Sequence, residues 1–402
     1  MKKITIRELD IEKKTIFLRV DYNVPLSEDG KIGDDTRIVL SLETLQYAMN
    51  KNCKIVLASH LGRPKGNRIP SMSLKPVAGY LSNLIKKEIK FIDDCVGEKV
   101  SEAVQVLKEG EILLLENVRF HIEETKENVD FAKKLASLAA IYINDAFGAA
   151  HRAHSSVHAI AQFVKSKGIG FLMEKEIFYL SKVLEGGEHP FVAILGGAKV
   201  SDKIDVIESL IQKVDKLIIG GAMAFTFLKA GGYDVGSSLV EDDKLEIAQS
   251  IMEKSGAAGC ELILPVDTKA VMEVNPDAEI KIIPVGEKFE NRKGVDIGPE
   301  SIKLFNKALE DARLVFWNGP LGIFEIDKFA AGTLELAKSV SASKAITIAG
   351  GGDTISAVKK AGVAEKFSHI STGGGAGLEF IAGQTLPGLA VIPDSPDSSR
   401  NE

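Results

Sequence analysis

Three cysteines in 402 residues, Cys53, Cys95 and Cys260, are scattered and form no Cys-x-x-Cys pair. This excludes a disulfide scaffold and gives no sign of a zinc site, so reduced structural thiols are expected. Positive charge is not in excess either: 50 Lys and Arg against 56 Asp and Glu leave a formal net charge of −6. Such a chain is a poor partner for nucleic acid or an anionic membrane surface. No apolar run approaches the ~18 residues of a membrane span. No apolar core follows Met1-Lys2-Lys3, and Arg400-Asn401-Glu402 is not a retrieval signal. A cytoplasmic protein is expected. Two nucleotide fingerprints are also missing. There is no Gly-x-x-x-x-Gly-Lys-Ser/Thr, and Gly373 and Gly375 are followed at the sixth position by Leu378 where a dinucleotide loop needs glycine or alanine.

The composition, 45% hydrophobic and 26% charged, is that of a globular protein long enough for two or three domains. Short apolar runs recur, each followed by a stretch of helical composition. They are Thr15–Val20, Lys54–Ala58, Ile112–Leu115 and Ile141–Ile143, then Phe191–Leu195, Lys216–Ile219, Leu262–Pro265, Leu314–Trp317 and Ala345–Ala349. Near-continuous apolar strands suit a parallel sheet covered on both faces. The rhythm predicts α/β architecture, with two doubly wound parallel-sheet domains. Residues 171–185 read as one amphipathic helix stopped by Gly186-Gly187, a connector between domains at 1–170 and 186–386. The polar tail from Pro393 has little to bury and is expected to be mobile.

In open α/β sheets ligands bind beyond the carboxyl ends of the strands. In the first half those positions carry Asp21 and Asn23, then His60 and Arg63, then Arg119, then Arg152 and His154; Arg37 lies in a turn-like stretch. Converging arginines suit a small, multiply anionic ligand, because a guanidinium meets phosphate or carboxylate oxygens bidentately. His121 and His158 read as structural or surface residues.

The second half carries glycines instead: Gly196-Gly197, Gly220-Gly221, Gly350-Gly351-Gly352 and Gly373-Gly374-Gly375. Backbone amides at such loops, with a helix N-terminus behind them, can cradle phosphate. Lys199 and Lys203, four apart, would share one face of a helix beginning there. Cations in one half and a phosphate cradle in the other point to phosphoryl transfer, which depends on positioning and charge neutralisation. A carboxylate acceptor is already ionised at neutral pH and needs no base. That favours an acyl phosphate product, although Asp21 stays open as a base.

The motifs that carry this chemistry closely resemble those of the phosphoglycerate kinase family. They are Arg19-Val20-Asp21-Tyr22-Asn23-Val24-Pro25, Ser59-His60-Leu61-Gly62-Arg63-Pro64, Asn117-Val118-Arg119-Phe120 and Asn144-Asp145-Ala146-Phe147-Gly148. The second half adds Leu195–Lys203, Trp317-Asn318-Gly319-Pro320-Leu321-Gly322, Gly350–Thr354 and Ser371–Gly375. The resemblance implies transfer between ATP and the carboxylate of 3-phosphoglycerate, with Mg2+ accompanying ATP or ADP. It implies that Asp21, Asn23, Arg37, His60, Arg63, Arg119 and Arg152 hold the phosphoglycerate. Gly197, Ala198, Lys199, Lys203, Gly221, Asn318, Gly351, Gly352, Asp353 and Thr354 would surround the nucleotide. Gly294 would flank the adenine, Glu325 the ribose, and Asp353 the metal. Arg37, Lys199, Lys203, Gly351 and Gly374 would act on the transferring group.

The resemblance further implies a monomer that closes about a hinge, with residues 387–402 returning to the first domain. Arg292-Lys293 before Gly294, Gly377 and Ala149 depart from the commoner family pattern. A nicotinamide-dependent oxidoreductase and a non-catalytic nucleotide- or anion-binding protein are the alternative readings.

Overall fold

The computed structural model describes residues 2–27 and 30–396. The chain forms two compact units. One runs up to Phe178 and includes the segment from Thr385; the other is Tyr179–Gln384.

The first unit is built on six strands: β1 (Thr15–Arg19), β2 (Lys54–Ala58), β3 (Ile89–Ile92), β4 (Ile112–Leu115), β5 (Ile141–Asn144) and β6 (Ser166–Ile169). All pair in parallel in the order β3-β4-β2-β1-β5-β6. Helices cover the sheet, so Phe17 and Leu18, or Val56 and Leu57, are buried on opposite faces alike. That is why the strands read as unbroken apolar runs, each buried aliphatic side chain contributing roughly 1.5–3 kcal/mol. The chain leaves β1 toward β2 and later crosses to β5 on the other side of β1. The topological switch point lies there, and with it the natural ligand crevice.

The second unit repeats the scheme with β7 (Phe191–Leu195), β8 (Lys216–Ile219), β9 (Glu261–Ile263), β13 (Leu314–Asn318), β14 (Ile346–Gly350) and β15 (His369–Ser371). The order is β15-β14-β13-β7-β8-β9, parallel throughout, with the switch between β7 and β13. A feature the sequence does not announce is a separate antiparallel sheet of β10 (Asp267–Val271), β11 (Lys281–Pro284) and β12 (Lys293–Ile297), in the order β11-β10-β12.

The helix Phe171–Glu185 has the bounds read from the sequence. Asp145, fully buried, accepts the Met173 N–H at 2.9 Å and so caps its first turn. Gly186, at φ +71°, takes the left-handed conformation that ends it, and the Gly187 N–H closes on Lys182 O at 2.8 Å. The compact units divide within this helix, between Phe178 and Tyr179.

Two expectations are corrected. Lys199 and Lys203 do not share a helical face, because the helix starts only at Ile204. Glu241 causes this: its carboxylate takes the Val200 N–H, the Ser201 N–H and the Ser201 hydroxyl at 2.5, 3.1 and 2.5 Å, and holds the segment as a turn. The tail is also less free than its composition suggested. Ile4 N–H donates to Pro393 O, Ser395 N–H to Lys2 O, and Ser395 Oγ to Glu8 at 2.5 Å. Residues 397–402 of that tail lie outside the described residues.

Candidate functional site

In the first unit Asp34 Oδ1 accepts the Thr36 N–H at 2.9 Å, a local turn that begins the helix Thr36–Asn50 and puts Arg37 in its first turn. Arg37 NH1 donates to Asn23 O at 2.9 Å and lies 3.4 Å from Asp21 Oδ2. Asn23 Oδ1 in turn receives the Gly62 N–H at 2.8 Å. The loops after β1 and β2 are therefore fastened together by site residues themselves.

Arg119 is buried, and its NH1 donates to Gly62 O at 2.7 Å. Its Nε and NH2 are buried without any hydrogen-bond partner. Unpaired buried donors on a charged group are costly and call for an anion. Burial, with Arg152 and Arg19 adding repulsion, pulls the Arg119 guanidinium down to about 10. The same surroundings act on the histidines. Burial, then Arg19, Arg119, Arg37 and Arg152, holds His60 well below the ordinary imidazole range. Burial, with Arg119, Arg19 and Arg152, lowers His154 to about 3. Both rings are neutral inside a strongly positive site.

Arg152 donates from Nε to His151 Nε2 at 3.0 Å. Arg63, by contrast, is exposed and makes none of these contacts. His121 and His158 pair with Asp94 and Glu127, as structural residues do. Sequence reasoning passed over Arg19, which is fully buried and donates from NH2 to His60 Nδ1 at 3.2 Å. Its signal was a charge closing an otherwise apolar strand, where burial demands partners.

In the second unit Lys203 occupies the switch point. Its ammonium donates to Gly196 O at 2.7 Å and to Asn318 O and Oδ1 at 2.6 Å each. The partners are all neutral oxygens, and burial lowers the amine to about 8 against the opposing pull of Asp202 and Asp353. Asn318 is fixed from its other end, Nδ2 donating to Gly350 O at 2.9 Å. Lys199 and Ala198 are exposed.

The four glycine loops divide in two. A Cβ on Gly196 would lie 2.1 Å from Pro320 O, and one on Gly221 would lie 2.5 Å from Gly197 N. The Gly196 and Gly197 amides already donate to Asn318 O and Pro320 O. These glycines let two loops meet, so the expected phosphate cradle is not made by their amides. Gly352, Gly374 and Gly375 have open space before them at the starts of the helices Gly352–Lys360 and Gly375–Ile381. There the first-turn amides have no partners within the helix. Thr354 Oγ1 is buried and accepts the Gly319 N–H at 2.6 Å, so its hydroxyl braces the loop.

A cavity of about 380 Å³ gathers Gly197, Ala198, Gly221, Gly294, Glu325 and Asp353, beside apolar Phe225, Leu239, Val274 and Leu321. Gly294 is needed where it stands, since a Cβ there would fall 2.0 Å from the Phe225 ring. Asp353 and Glu325 are exposed at this cavity.

One other cluster among the described residues could hold a metal: Asp94, Cys95 and His121. Arg68 pairs with Asp94 at 3.0 Å, and the Cys95 thiol donates to Glu116 O at 2.9 Å. Burial and neighbouring carboxylates push that thiol up, so it keeps its proton and the cluster reads as a structural knot.

Residues 6–384 match the family model for phosphoglycerate kinase. The phosphoglycerate kinase of Aquifex aeolicus is 52% identical over 98% of this chain and 99% of its own. A cytosolic phosphoglycerate kinase from Nicotiana tabacum is 51% identical over 97% of this chain and 98% of its own. Among solved structures, the phosphoglycerate kinase of Coxiella burnetii superposes with a TM-score of 0.88 at 38% identity, both chains covered completely. That of Pyrococcus horikoshii gives 0.84 at 32%, covering 97% of this chain and 98% of that one.

Proposed function

The chain belongs to the phosphoglycerate kinase family and is a phosphotransferase with a carboxyl acceptor, and from that premise we propose how its residues divide the work. The first-unit site binds 3-phosphoglycerate. The observation that carries this reading is Arg119, whose two unpaired buried donors sit among Arg19, Arg37 and Arg152. A ligand with a phosphate at one end and a carboxylate at the other satisfies them and neutralises the cluster. Asp21, against the Arg37 cation and near the neutral His60 ring, orients Arg37 rather than acting as a base. None is required, because the acceptor oxygen attacks as the carboxylate.

The cavity of the second unit takes the nucleotide: Gly294 and Phe225 flank the base, and Glu325 accepts from the ribose hydroxyls. The open helix starts at Gly352 and Gly375 face the phosphates, with Gly351 and Gly374 giving their loops the turn required. Lys203 supplies positive charge to the transferring group, and exposed Lys199 joins it. Asp353 is exposed and has no cation within ion-pair distance among the described residues, so it fits a divalent metal, a hard cation that takes carboxylate oxygen. Mg2+ bound there would neutralise phosphate charge. The failed dinucleotide loop and the family together disfavour a nicotinamide enzyme.

A cytoplasmic location agrees with the tobacco relative's name; no described helix is long and apolar enough to cross a membrane. Steady-state kinetics test the division. Arg119→Ala should raise KM for 3-phosphoglycerate and leave that for ATP unchanged. The reverse pattern would refute it.

A further inference from the structure

Four buried groups of the first unit form a chain of hydrogen bonds whose direction is fixed at every link. Glu124 is fully buried. Its carboxylate receives the Ser156 N–H at 2.9 Å and the Ser156 hydroxyl at 2.6 Å. A carboxylate only accepts, so the hydroxyl proton points to Glu124 and the Ser156 oxygen keeps its lone pairs. One of them accepts the Arg19 Nε–H at 2.9 Å. Arg19 NH1 donates to Val20 O, and NH2 faces His60 Nδ1 at 3.2 Å.

A guanidinium has no acceptor, so a proton on Nδ1 would set two donors against each other. The Nδ1 lone pair must face Arg19, and the ring proton must sit on Nε2, which has no hydrogen-bond partner among the described residues. The competing arrangement is visible nearby. Asp21 Oδ1 lies 3.6 Å from Nδ1, beyond hydrogen-bond range, and would attract a proton placed there. The surrounding Arg19, Arg37, Arg119 and Arg152 all disfavour a second proton on the ring.

We infer that Glu124, Ser156 and Arg19 are positioning residues that lock His60 as the Nε2–H tautomer, so that the neutral ring meets an anionic oxygen of the substrate as a donor. The opposite tautomer would turn a lone pair toward that oxygen and repel it. The inference rests on the reading that His60 belongs to the 3-phosphoglycerate site. It assigns the tautomer to residues more than forty positions away from the ring, and a role to Ser156 that contact with substrate does not require.

The test is long-range ¹H–¹⁵N NMR on histidine-labelled full-length protein at neutral pH, with kinetics of the same samples. His60 should show a protonated-type Nε2 and an unprotonated-type Nδ1. In Ser156→Ala the ring should become a mixture of tautomers. KM for 3-phosphoglycerate should rise several-fold, with kcat and KM for ATP little changed. Glu124→Gln, which keeps shape but can donate to Ser156, should do the same in part. A protonated Nδ1 in the unmodified protein overturns the inference. So does an unchanged tautomer in both variants. If one variant fails to fold, the unmodified spectrum and the other variant still decide. His60→Ala with unaltered KM for 3-phosphoglycerate would instead remove the substrate-site reading and leave the tautomer result standing.

Discussion

Lys203 donates to both oxygens of Asn318, backbone and side chain, at 2.6 Å each. This pair ties the end of β13 to the loop after β7, at the point where the sheet order reverses. A half-buried ammonium whose hydrogen-bond partners are all neutral oxygens keeps charge to offer a phosphate.

Lys203→Ala should lower kcat by well over tenfold, at least ~1.4 kcal/mol of transition-state stabilisation. The folded protein should survive, because the change removes a desolvated charge. Steady-state kinetics beside a thermal melt check this, and near-normal turnover would refute the role.

The pH profile carries a second signature. Burial lowers Lys203 to about 8, so its charge is lost as pH rises through that value. The alkaline limb of kcat/KM for ATP should fall from about pH 8, and bound phosphate should move the limb of kcat upward. A flat alkaline profile in the free enzyme would contradict the assignment.

Much of the candidate site was legible from residue order alone, because in a doubly wound sheet the crevice beyond the strands' carboxyl ends is where ligands bind. Asp21, His60 and Arg119 follow β1, β2 and β4 and were readable for that reason. What was hidden depends on partners far along the chain. Glu241, forty residues after the Ser201 it holds, sets where the helix after Lys203 begins, and Ser156 meets Arg19 across 137 positions. The antiparallel sheet escaped notice because Lys281–Pro284 and Lys293–Ile297 are short and carry exposed residues among apolar ones. Glycine content pointed to the half proposed to take the nucleotide, without telling loop-packing glycines such as Gly196 from open ones such as Gly352.

Gly294→Ala should raise KM for ATP while leaving that for 3-phosphoglycerate alone, since the added methyl collides with Phe225 at the cavity wall. An overpacking cost of about 1–3 kcal/mol should appear in denaturant unfolding. Unchanged ATP binding would remove Gly294 from the pocket.

Asp145 makes stability depend on pH. Burial raises its carboxyl from 3.8 to about 7, and its Oδ2 has no hydrogen-bond partner. The folded state therefore holds a proton that the unfolded chain has released between these values. The stability it contributes is complete at acid pH and is lost as pH rises toward about 7. Asp145→Asn should flatten that dependence and raise Tm at pH 8 relative to the parent. A variant with the parent's pH dependence would show that the proton resides elsewhere.

The central claim is that this chain transfers a phosphoryl group to a carboxylate with Arg119 and Lys203 as cations and no general base. The most direct measurement is ADP release from MgATP with and without 3-phosphoglycerate, with hydroxylamine present to trap an acyl phosphate. The account predicts release only with 3-phosphoglycerate, one hydroxamate formed per ADP, and near-total loss of both in Lys203→Ala. ADP release without the acceptor, or release with no hydroxamate, would contradict it.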